Sequence, residues 1–360
     1  MSRLSKISLA ATVIACLSAT NVLHQNTATP IKIDYPDYFG NRIDIPADNP
    51  TTQQGVFLGR MLFYESALSA GNKISCGTCH QQEYAFTDRR PFSQGVDGTL
   101  QPRNTMSLAN LLWVRNFFWD GRARGLEKQA EIPLTSPHEM GQSLEAAAEK
   151  LRNKKIYGRY FAEAFGSDMI SGERIVMALA QFQRTLVSAG SGYDKYLQGN
   201  YQPTKSELNG IRLFYTNPDP EHNIRGAACS HCHAGPKTFS EVFHNNGLDS
   251  IPVDPGRENN TGQLYDRGRF RVATLRNIAL TAPYMHDGRF ATLEEVIDHY
   301  NGHIIETASL SPFLRKVSNT SNGKSLDLTA TEKSDLIAFL HLLTDSAFIT
   351  DKRFSNPFLK

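Results

Sequence analysis

The sequence is short of several features that would place it in other classes of protein. It has no apolar run approaching the roughly 18 residues that a membrane-spanning helix needs. Its charges nearly cancel, with 38 Lys and Arg against 36 Asp and Glu in 360 residues, so there is no electrostatic reason to expect nucleic-acid binding. Gly and Pro, at 26 and 17 residues, are too few for a collagen-like or low-complexity chain. The 40% of hydrophobic residues indicates a folded protein with buried cores.

The N-terminus has the pattern of a targeting segment. Basic Arg3 and Lys6 precede a short apolar stretch at residues 7–17, and polar sequence follows it, which is typical of a secretory signal peptide. We therefore predict a signal peptide over residues 1–22 and a periplasmic location. The sequence VIAC that ends at Cys16 also resembles a bacterial lipobox, in which the signal would end before Cys16 and a lipid on this residue would be the only membrane anchor. Both alternatives stay open.

Cysteine is scarce, and four of the five cysteines stand in two short motifs. Residues 76–80 read CGTCH and residues 229–233 read CSHCH, so both are CxxCH. In this motif the two thiols form thioethers to the vinyl groups of one porphyrin, and the following His ligates its iron. Neither a zinc site nor disulfides would need the trailing His twice. The sequence therefore predicts two covalent c-type hemes. Their attachment residues and proximal iron ligands are Cys76, Cys79, His80, Cys229, Cys232 and His233.

The surroundings of the two motifs repeat along the chain. Leu-Phe-Tyr precedes each motif, and Asp-Gly-Arg follows each, beginning at Asp120 and Asp287. Self-similarity of this kind indicates two copies of one structural unit. We predict an N-terminal heme domain over residues 34–200 and a C-terminal heme domain over residues 201–345. We expect the tail, residues 346–360, to pack back on the N-terminal domain.

Local patterns favour helices over strands. Apolar residues recur at helical spacing over residues 171–186, and capping boxes that open helices begin at Thr204, Thr292 and Thr329. Alternation of the strand type is scarce. The predicted fold class is therefore mainly α, with two cytochrome c-like heme domains related by the internal repeat and long irregular connections around the hemes.

The repeat predicts that the two irons differ on their distal side. Tyr300 lies seven residues after Leu293 on one face of a predicted helix, and the corresponding residue seven after Leu126 is Pro133. A Tyr can ligate ferric iron as phenolate, whereas a Pro has no donor atom. We predict that Tyr300 caps the second heme and that the first heme is open, because residues 81–137 contain no His. Other candidate caps for the second heme are Met285, His286, His299 and His303.

The chain resembles the bacterial diheme cytochrome c peroxidase superfamily, and within it the MauG-like branch. Besides the CxxCH motifs, the resemblance rests on residues 118–122 (FWDGR), 133–140 (PLTSPHEM) and 281–288 (TAPYMHDG). In the peroxidases proper, a His in the loop after the first motif caps heme 1 until reduction releases it, and a Met caps heme 2. Here the loop at residues 92–103 has no His, and Tyr300 fills the position of the Met. Both departures are MauG-like.

The resemblance implies roles for further residues. Trp119 matches an inter-heme Trp, Glu139 matches a distal acid beside the peroxide-binding iron, and Gln129 matches another distal-pocket residue. Glu139 follows residues 133–137, which we expect to form a rigid loop. The resemblance also implies one Ca²⁺ between the domains, bound by neutral oxygens and water. Its ligands would be the side chain of Asn104 and the backbone carbonyls of Thr281 and Pro283.

The activity implied by the resemblance is reduction of hydrogen peroxide at the open first heme. Electrons would pass through the second heme from a small cytochrome c or cupredoxin. Without a distal His, Glu139 is the candidate to move a proton between the two oxygens of peroxide, and Trp119 is the candidate path between the hemes. Two alternatives are MauG-like oxidation of Trp or Tyr on a partner protein and a diheme electron carrier without catalysis.

Overall fold

The computed structural model describes residues 28–315 and 317–359, and this part of the chain is mainly helical. The helices are α1 (Gln53–Phe63), α2 (Cys76–Cys79), α3 (Leu126–Thr135), α4 (Leu144–Arg152), α5 (Lys155–Phe165), α6 (Gly172–Arg184), α7 (Gly192–Leu197), α8 (Lys205–Tyr215), α9 (Glu258–Thr261), α10 (Leu293–Gly302), α11 (Ala330–Leu342) and α12 (Ser346–Thr350). Two antiparallel ribbons pair β1 (Asn116–Phe117) with β2 (Ala123–Arg124), and β3 (Phe243–His244) with β4 (Phe270–Arg271). The mainly α prediction is confirmed. The predicted signal peptide and Cys16 lie outside the described residues.

Helices begin where the sequence predicts them. Thr204, Thr292 and Thr329 each accept a hydrogen bond from the backbone N–H three residues on, and the Glu at that position bonds back to the Thr backbone. Ser171 caps α6 by accepting from the N–H of Arg174. These bonds satisfy donors that the first helical turn leaves unpaired. Within the described residues, none of the helices is long and apolar enough to cross a bilayer.

A close helix crossing with a glycine at the contact occurs in each half of the chain. Helix α1 packs on α6, and α8 packs on α11. A Cβ on Gly59 would collide with the carbonyl oxygen of Ala178, and one on Gly210 would collide with that of Asp335. Only glycine lets the two backbones approach this closely. The shared crossing is the structural counterpart of the sequence repeat.

A second shared feature anchors the loop that follows each CxxCH motif. Asn110 and Asn277 both adopt the left-handed conformation, with φ of 62° and 63°. Asn tolerates this region because its short side chain can bond locally. The side-chain oxygen of Asn110 accepts from the N–H of Ser188 at 2.9 Å, and that of Asn277 accepts from the N–H of Asp345 at 2.8 Å. Each loop is therefore tied to the segment just beyond the last long helix of its own half.

Two separate hydrophobic cores lie behind the two motifs. The first is built mainly from α1 and α3–α6, and the second from α7, α8, α10 and α11. The end of the chain lies on the first core, to which Phe348 and Phe354 contribute. The hydroxyl of Tyr64 donates to the carbonyl of Phe354 at 2.7 Å.

Candidate active site

The first CxxCH motif occupies α2 and lines a cavity in the N-terminal half. Cys76, Cys79 and His80 all face this cavity. Nδ1 of His80 lies 2.8 Å from the carbonyl oxygen of Phe86. Because a carbonyl can only accept, Nδ1 carries the proton and the Nε2 lone pair is left for a metal. Burial lowers the pKa of His80, which keeps the imidazole in the neutral form that ligates metals.

The second CxxCH motif has the same arrangement in a larger cavity of about 600 Å³, lined by Cys229, Cys232 and His233. Nδ1 of His233 faces two backbone carbonyls at 3.2 and 3.3 Å, and burial lowers the pKa of His233 to about 4. Each cavity thus presents two thiols and one neutral imidazole with a free Nε2. This donor set fits a covalently attached c-type heme in both halves.

The structure brings the three predicted distal residues of the first site together. Gln129, Pro133 and Glu139 line the cavity that contains His80. The expected rigid loop over residues 133–137 is wrong in its first part, because Pro133 lies inside α3 and the helix continues to Thr135. Pro133 has no N–H to bond, but α3 continues past it because buried Leu134 packs in the core. Glu139 itself stands on the turn after the helix.

The surroundings of Glu139 raise the pKa of its carboxyl group. Burial raises the pKa of Glu139, and the charge of Arg122 and the hydroxyl of Ser136 only partly oppose this. The backbone around it is fixed, because the carbonyl of Glu139 accepts from the N–H of Val96 at 2.8 Å. This bond joins the turn to the loop at residues 92–103, which forms the adjacent wall of the cavity.

The described residues on the wall of the first cavity offer no second imidazole. The loop at residues 92–103 contributes Ser93, Gln94, Gly95 and Gln101. Among the described residues that line the cavity, His80 is the only His and Met140 is the only thioether. In the described part of the chain, the wall of this cavity therefore carries no candidate for the His that closes a gated diheme peroxidase.

Sequence reasoning missed two residues of this first site. Met140 directly follows Glu139 and is buried. Gln183 projects from α6 into the cavity wall, and its Oε1 is buried with no partner in the described part of the chain. A polar residue on the apolar face of α6 was a signal for Gln183, whereas Met140 looked like an ordinary core residue. Oε1 of Gln129 is likewise buried without a partner within the described residues.

Helix α10 places Tyr300 in the second cavity. Leu293, Val296, Ile297 and Tyr300 share the face that lines it, as their spacing predicts. The hydroxyl of Tyr300 accepts from Nδ2 of Asn246 at 3.2 Å. Burial raises the pKa of Tyr300 to about 12, so the phenolate needs a cation beside it to form.

Met285 also lines the second cavity beside Asn246, but it comes from a loop and not from α10. Its Sδ lies 3.4 Å from the same Nδ2 of Asn246. Tyr300 and Met285 therefore both line the second cavity beside one amide group, and both remain candidate ligands. Asn246 was not found from the sequence, because no motif marks it and only the fold brings it between these two side chains.

The histidine candidates for the second iron are in different surroundings. His286 lines the cavity but stacks on Phe270, with ring centres 3.7 Å apart. His299 does not line the cavity, and its Nε2 bonds to the carbonyl of Asn246 at 3.0 Å. His303 is exposed at the end of α10. His244 was missed, and it lines the cavity with its Nε2 buried and unpartnered within the described chain.

Trp119 lies between the two sites. It lines the second cavity, and its indole N–H donates to the carbonyl of Asn104 at 2.8 Å. Thr105, which follows Asn104 in the chain, lines the first cavity. The backbone of Trp119 is fixed as well, because its carbonyl accepts from the N–H of Arg271 at 2.7 Å. Trp119 thus lines one cavity and is bonded to the segment that lines the other, and its inter-heme role stays a prediction.

The predicted calcium ligands lie on neighbouring segments. The N–H of Asn104 donates to the carbonyl of His286 at 2.7 Å, which brings Asn104 alongside the segment that carries Thr281 and Pro283. The side-chain amide of Asn104 donates to two backbone carbonyls. The described residues contain no cluster of three or more His, Cys, Asp or Glu side chains that could hold a metal. The calcium site, built from neutral oxygens, stays a prediction.

Comparison with known proteins shows which family this chain is similar to. The family model for di-haem cytochrome c peroxidase matches residues 53–202. The methylamine utilization protein MauG of Methylophilus methylotrophus is 32% identical over 334 residues, which covers 92% of this chain and 95% of that protein. The cytochrome c551 peroxidase of Nitrosomonas europaea is 36% identical over 259 residues, or 71% of this chain and 75% of that protein.

A solved structure of a related protein also matches this chain over most of its length. The crystal structure of a MauG-like protein associated with microbial copper homeostasis matches with a TM-score of 0.81 and 38% identity, covering 91% of this chain and all of that one. Together with the long match to MauG, this coverage confirms the resemblance seen in the sequence. The chain belongs to the di-haem cytochrome c peroxidase and MauG family of heme oxidoreductases.

Proposed function

We propose that the protein is a periplasmic diheme peroxidase that reduces hydrogen peroxide at its N-terminal heme. Electrons enter at the C-terminal heme from a small cytochrome c or cupredoxin. The observation that carries this proposal is the half-buried carboxyl group of Glu139, which shares a cavity with His80 where the described residues offer no second imidazole. An acid beside an open coordination position suits the cleavage of peroxide.

The covalently attached hemes supply, when bound, the iron that exchanges electrons with peroxide. The chain's own residues move the protons. Glu139 takes a proton from one oxygen of hydrogen peroxide and returns it to the other, so that the O–O bond breaks and the second oxygen leaves as water. Two electrons from the donor and two protons from solvent convert the remaining oxygen to a second water. The raised pKa of Glu139 lies closer to neutral pH than that of an exposed Glu, which suits a group that both takes and returns a proton. The unpartnered Oε1 of Gln129 can accept a hydrogen bond from the same substrate.

The distal wall of the first site also bears on how the enzyme is activated. A gated peroxidase must be reduced before its distal His leaves the iron. The wall formed by the described residues holds Gln129, Pro133 and Glu139 in that region and no His besides His80. We therefore infer that the fully oxidised protein reacts with peroxide directly.

Trp119 is the proposed path for electrons between the two hemes. Its indole is held by the bond to Asn104, and its backbone is held by Arg271. Tyr300 is the proposed distal ligand of the second iron, because α10 presents it on the cavity face in the register that the repeat predicts. A phenolate ligand would favour the oxidised iron, whereas a thioether such as that of Met285 raises the potential.

A second candidate function is oxidation of Trp or Tyr on a partner protein. The observation that favours it is Tyr300 in the second cavity, since an anionic ligand stabilises an oxidised heme that can draw electrons from a distance. The likeness to MauG over most of the chain supports the same possibility. In this reaction the electrons come from a dedicated protein substrate instead of a reduced carrier.

A turnover assay separates the two functions. The purified diheme protein is mixed with hydrogen peroxide and an excess of reduced small cytochrome c or cupredoxin, and donor oxidation is followed optically. We expect two electrons to be consumed per peroxide, with turnover reduced about 10²–10⁴-fold in Glu139→Gln. Consumption of a single equivalent of peroxide without donor turnover would favour oxidation of a partner protein. Full turnover in Glu139→Gln would refute the proposed proton transfer.

A further inference from the structure

A buried arginine on the wall of the second cavity has no anionic partner among the described residues. Arg271, the second residue of β4, is only 8% exposed. One guanidinium nitrogen lies 3.4 Å from Sδ of Met106, and Nε is buried without any partner in the described chain. The acidic group whose charge raises the pKa of Arg271 is Glu241. Glu241 is exposed, and its carboxylate accepts hydrogen bonds from two backbone N–H groups and not from Arg271. No salt bridge within the described residues reaches Arg271.

An isolated guanidinium is costly to bury. Burial lowers the pKa of Arg271 to about 10, so the group still carries its charge at neutral pH. Buried charges are normally paired, because removing an ion from water without a counter-ion is strongly unfavourable. The burial of Arg271 therefore indicates that an anion not supplied by the described chain completes this part of the wall.

The position of Arg271 narrows the identity of that anion. Arg271 lines the second cavity, which also holds Trp119 and the CxxCH residues. The other two cations on the cavity wall, Arg315 and Lys324, are both exposed, and Arg315 lies 3.7 Å from a carboxylate oxygen of Glu306. Arg271 is thus the buried, unpaired cation of this wall within the described residues. It also faces the boundary between the two halves, since Met106 belongs to the N-terminal half.

We propose that Arg271 binds a propionate carboxylate of the C-terminal heme and thereby holds that edge of the porphyrin beside Trp119. A guanidinium matches a carboxylate with two parallel hydrogen bonds. The backbone bond from Arg271 to the carbonyl of Trp119 places the cation and the indole on one rigid unit. Arg271 is therefore a positioning residue. The inference rests on the attachment of heme at Cys229 and Cys232 and does not depend on the proposed peroxidase activity.

A fixed positive charge also acts on the iron. It disfavours the oxidised, more positive state of the heme, so it raises the reduction potential. Removing the charge should lower the potential of the C-terminal heme more than that of the N-terminal heme. Arg271→Lys keeps the charge but loses the two-bond geometry, so its potential should stay close to that of the unaltered protein.

The test is a spectroelectrochemical titration of the diheme protein and of Arg271→Gln, Arg271→Lys and Arg315→Gln, each checked for two attached hemes. We expect Arg271→Gln to shift the reduction equilibrium of the C-terminal heme at least tenfold, which is 59 mV for one electron. Arg315→Gln, on the exposed wall, should leave it unchanged. An unchanged potential in Arg271→Gln, or a shift that appears in Arg315→Gln instead, would overturn the proposal.

A second readout covers the case in which Arg271→Gln fails to attach heme. Resonance Raman spectra of the unaltered protein and of Arg271→Lys report the propionate bending mode directly. We expect this mode of the C-terminal heme to move in Arg271→Lys, because one ammonium replaces the two-bond guanidinium contact. An identical mode in both proteins would show that Arg271 does not touch a propionate.

Discussion

Glu139→Gln removes the proposed proton carrier while leaving the shape of the first cavity unchanged. The variant should fold normally, because the turn is fixed by backbone bonds from Val96 to the carbonyl of Glu139 and from Glu139 to the carbonyl of Ser136. Loss of general acid–base catalysis slows a reaction about 10²–10⁴-fold. At about 1.4 kcal/mol per tenfold, the barrier should rise by roughly 3–5 kcal/mol.

The pH dependence of this reaction follows from the burial of Glu139. The ionised carboxylate is the form that accepts a proton from peroxide, so the rate should fall when the carboxyl group becomes protonated. Because burial raises the pKa of Glu139, this fall should begin at a higher pH than for a solvent-exposed Glu. Glu139→Gln has no titratable group at this position and should lose the acidic limb of the profile.

Stopped-flow mixing of the oxidised protein with hydrogen peroxide measures both effects. The second-order rate constant is recorded from pH 4 to pH 9 for the unaltered protein, Glu139→Gln and Glu131→Gln. Glu131 is a matched control, because it lies on α3 nearby, pairs with Lys128 at 2.9 Å and does not line the cavity. A rate in Glu139→Gln within threefold of the unaltered protein, or an acidic limb that survives the substitution, would refute the assigned role.

Three further predictions test the second site, the path between the sites and the fold. Tyr300→Phe should change the optical spectrum of the C-terminal heme and raise its potential, whereas Met285→Leu should change neither; the reverse pattern would make Met285 the ligand. Trp119→Phe removes the indole hydrogen bond and should slow electron transfer between the hemes, measured by flash or stopped-flow kinetics. The first reaction with peroxide should keep its rate. Equal electron-transfer rates in the two proteins would mean that Trp119 has only a packing role. Gly210→Ala should lower the free energy of unfolding by about 1–3 kcal/mol, because its methyl group would collide with α11, whereas Gly302→Ala has open space and should melt like the unaltered protein.

The features that the sequence predicted correctly are those that depend on residues close together in the chain. Two thiols and a His within five residues specify heme attachment regardless of the rest of the fold. The capping boxes at Thr204, Thr292 and Thr329 likewise depend only on residues three apart. The register of α10 followed from its apolar spacing and placed Tyr300 on the cavity face.

The features that the sequence did not predict depend on contacts between distant segments. Asn246 bonds to both Tyr300 and Met285, which stand 54 and 39 residues away along the chain. His244 and Gln183 reach the cavities from a two-residue strand and from a core helix, and neither belongs to a motif. The sequence also did not predict that residues 133–135 belong to helix α3. Packing of the helix overrode the usual helix-breaking effect of Pro133.

The proposal that the N-terminal site is open is tested most directly by an optical titration of the fully oxidised diheme protein with hydrogen peroxide, one equivalent at a time and without reductant. The absence of a second imidazole on the described wall around His80 predicts a rapid reaction with the first equivalent. The spectral changes should appear at both hemes if Trp119 connects them. No reaction until one electron has been added would contradict the account, because it would mean that a ligand closes the N-terminal iron and that reduction must release it.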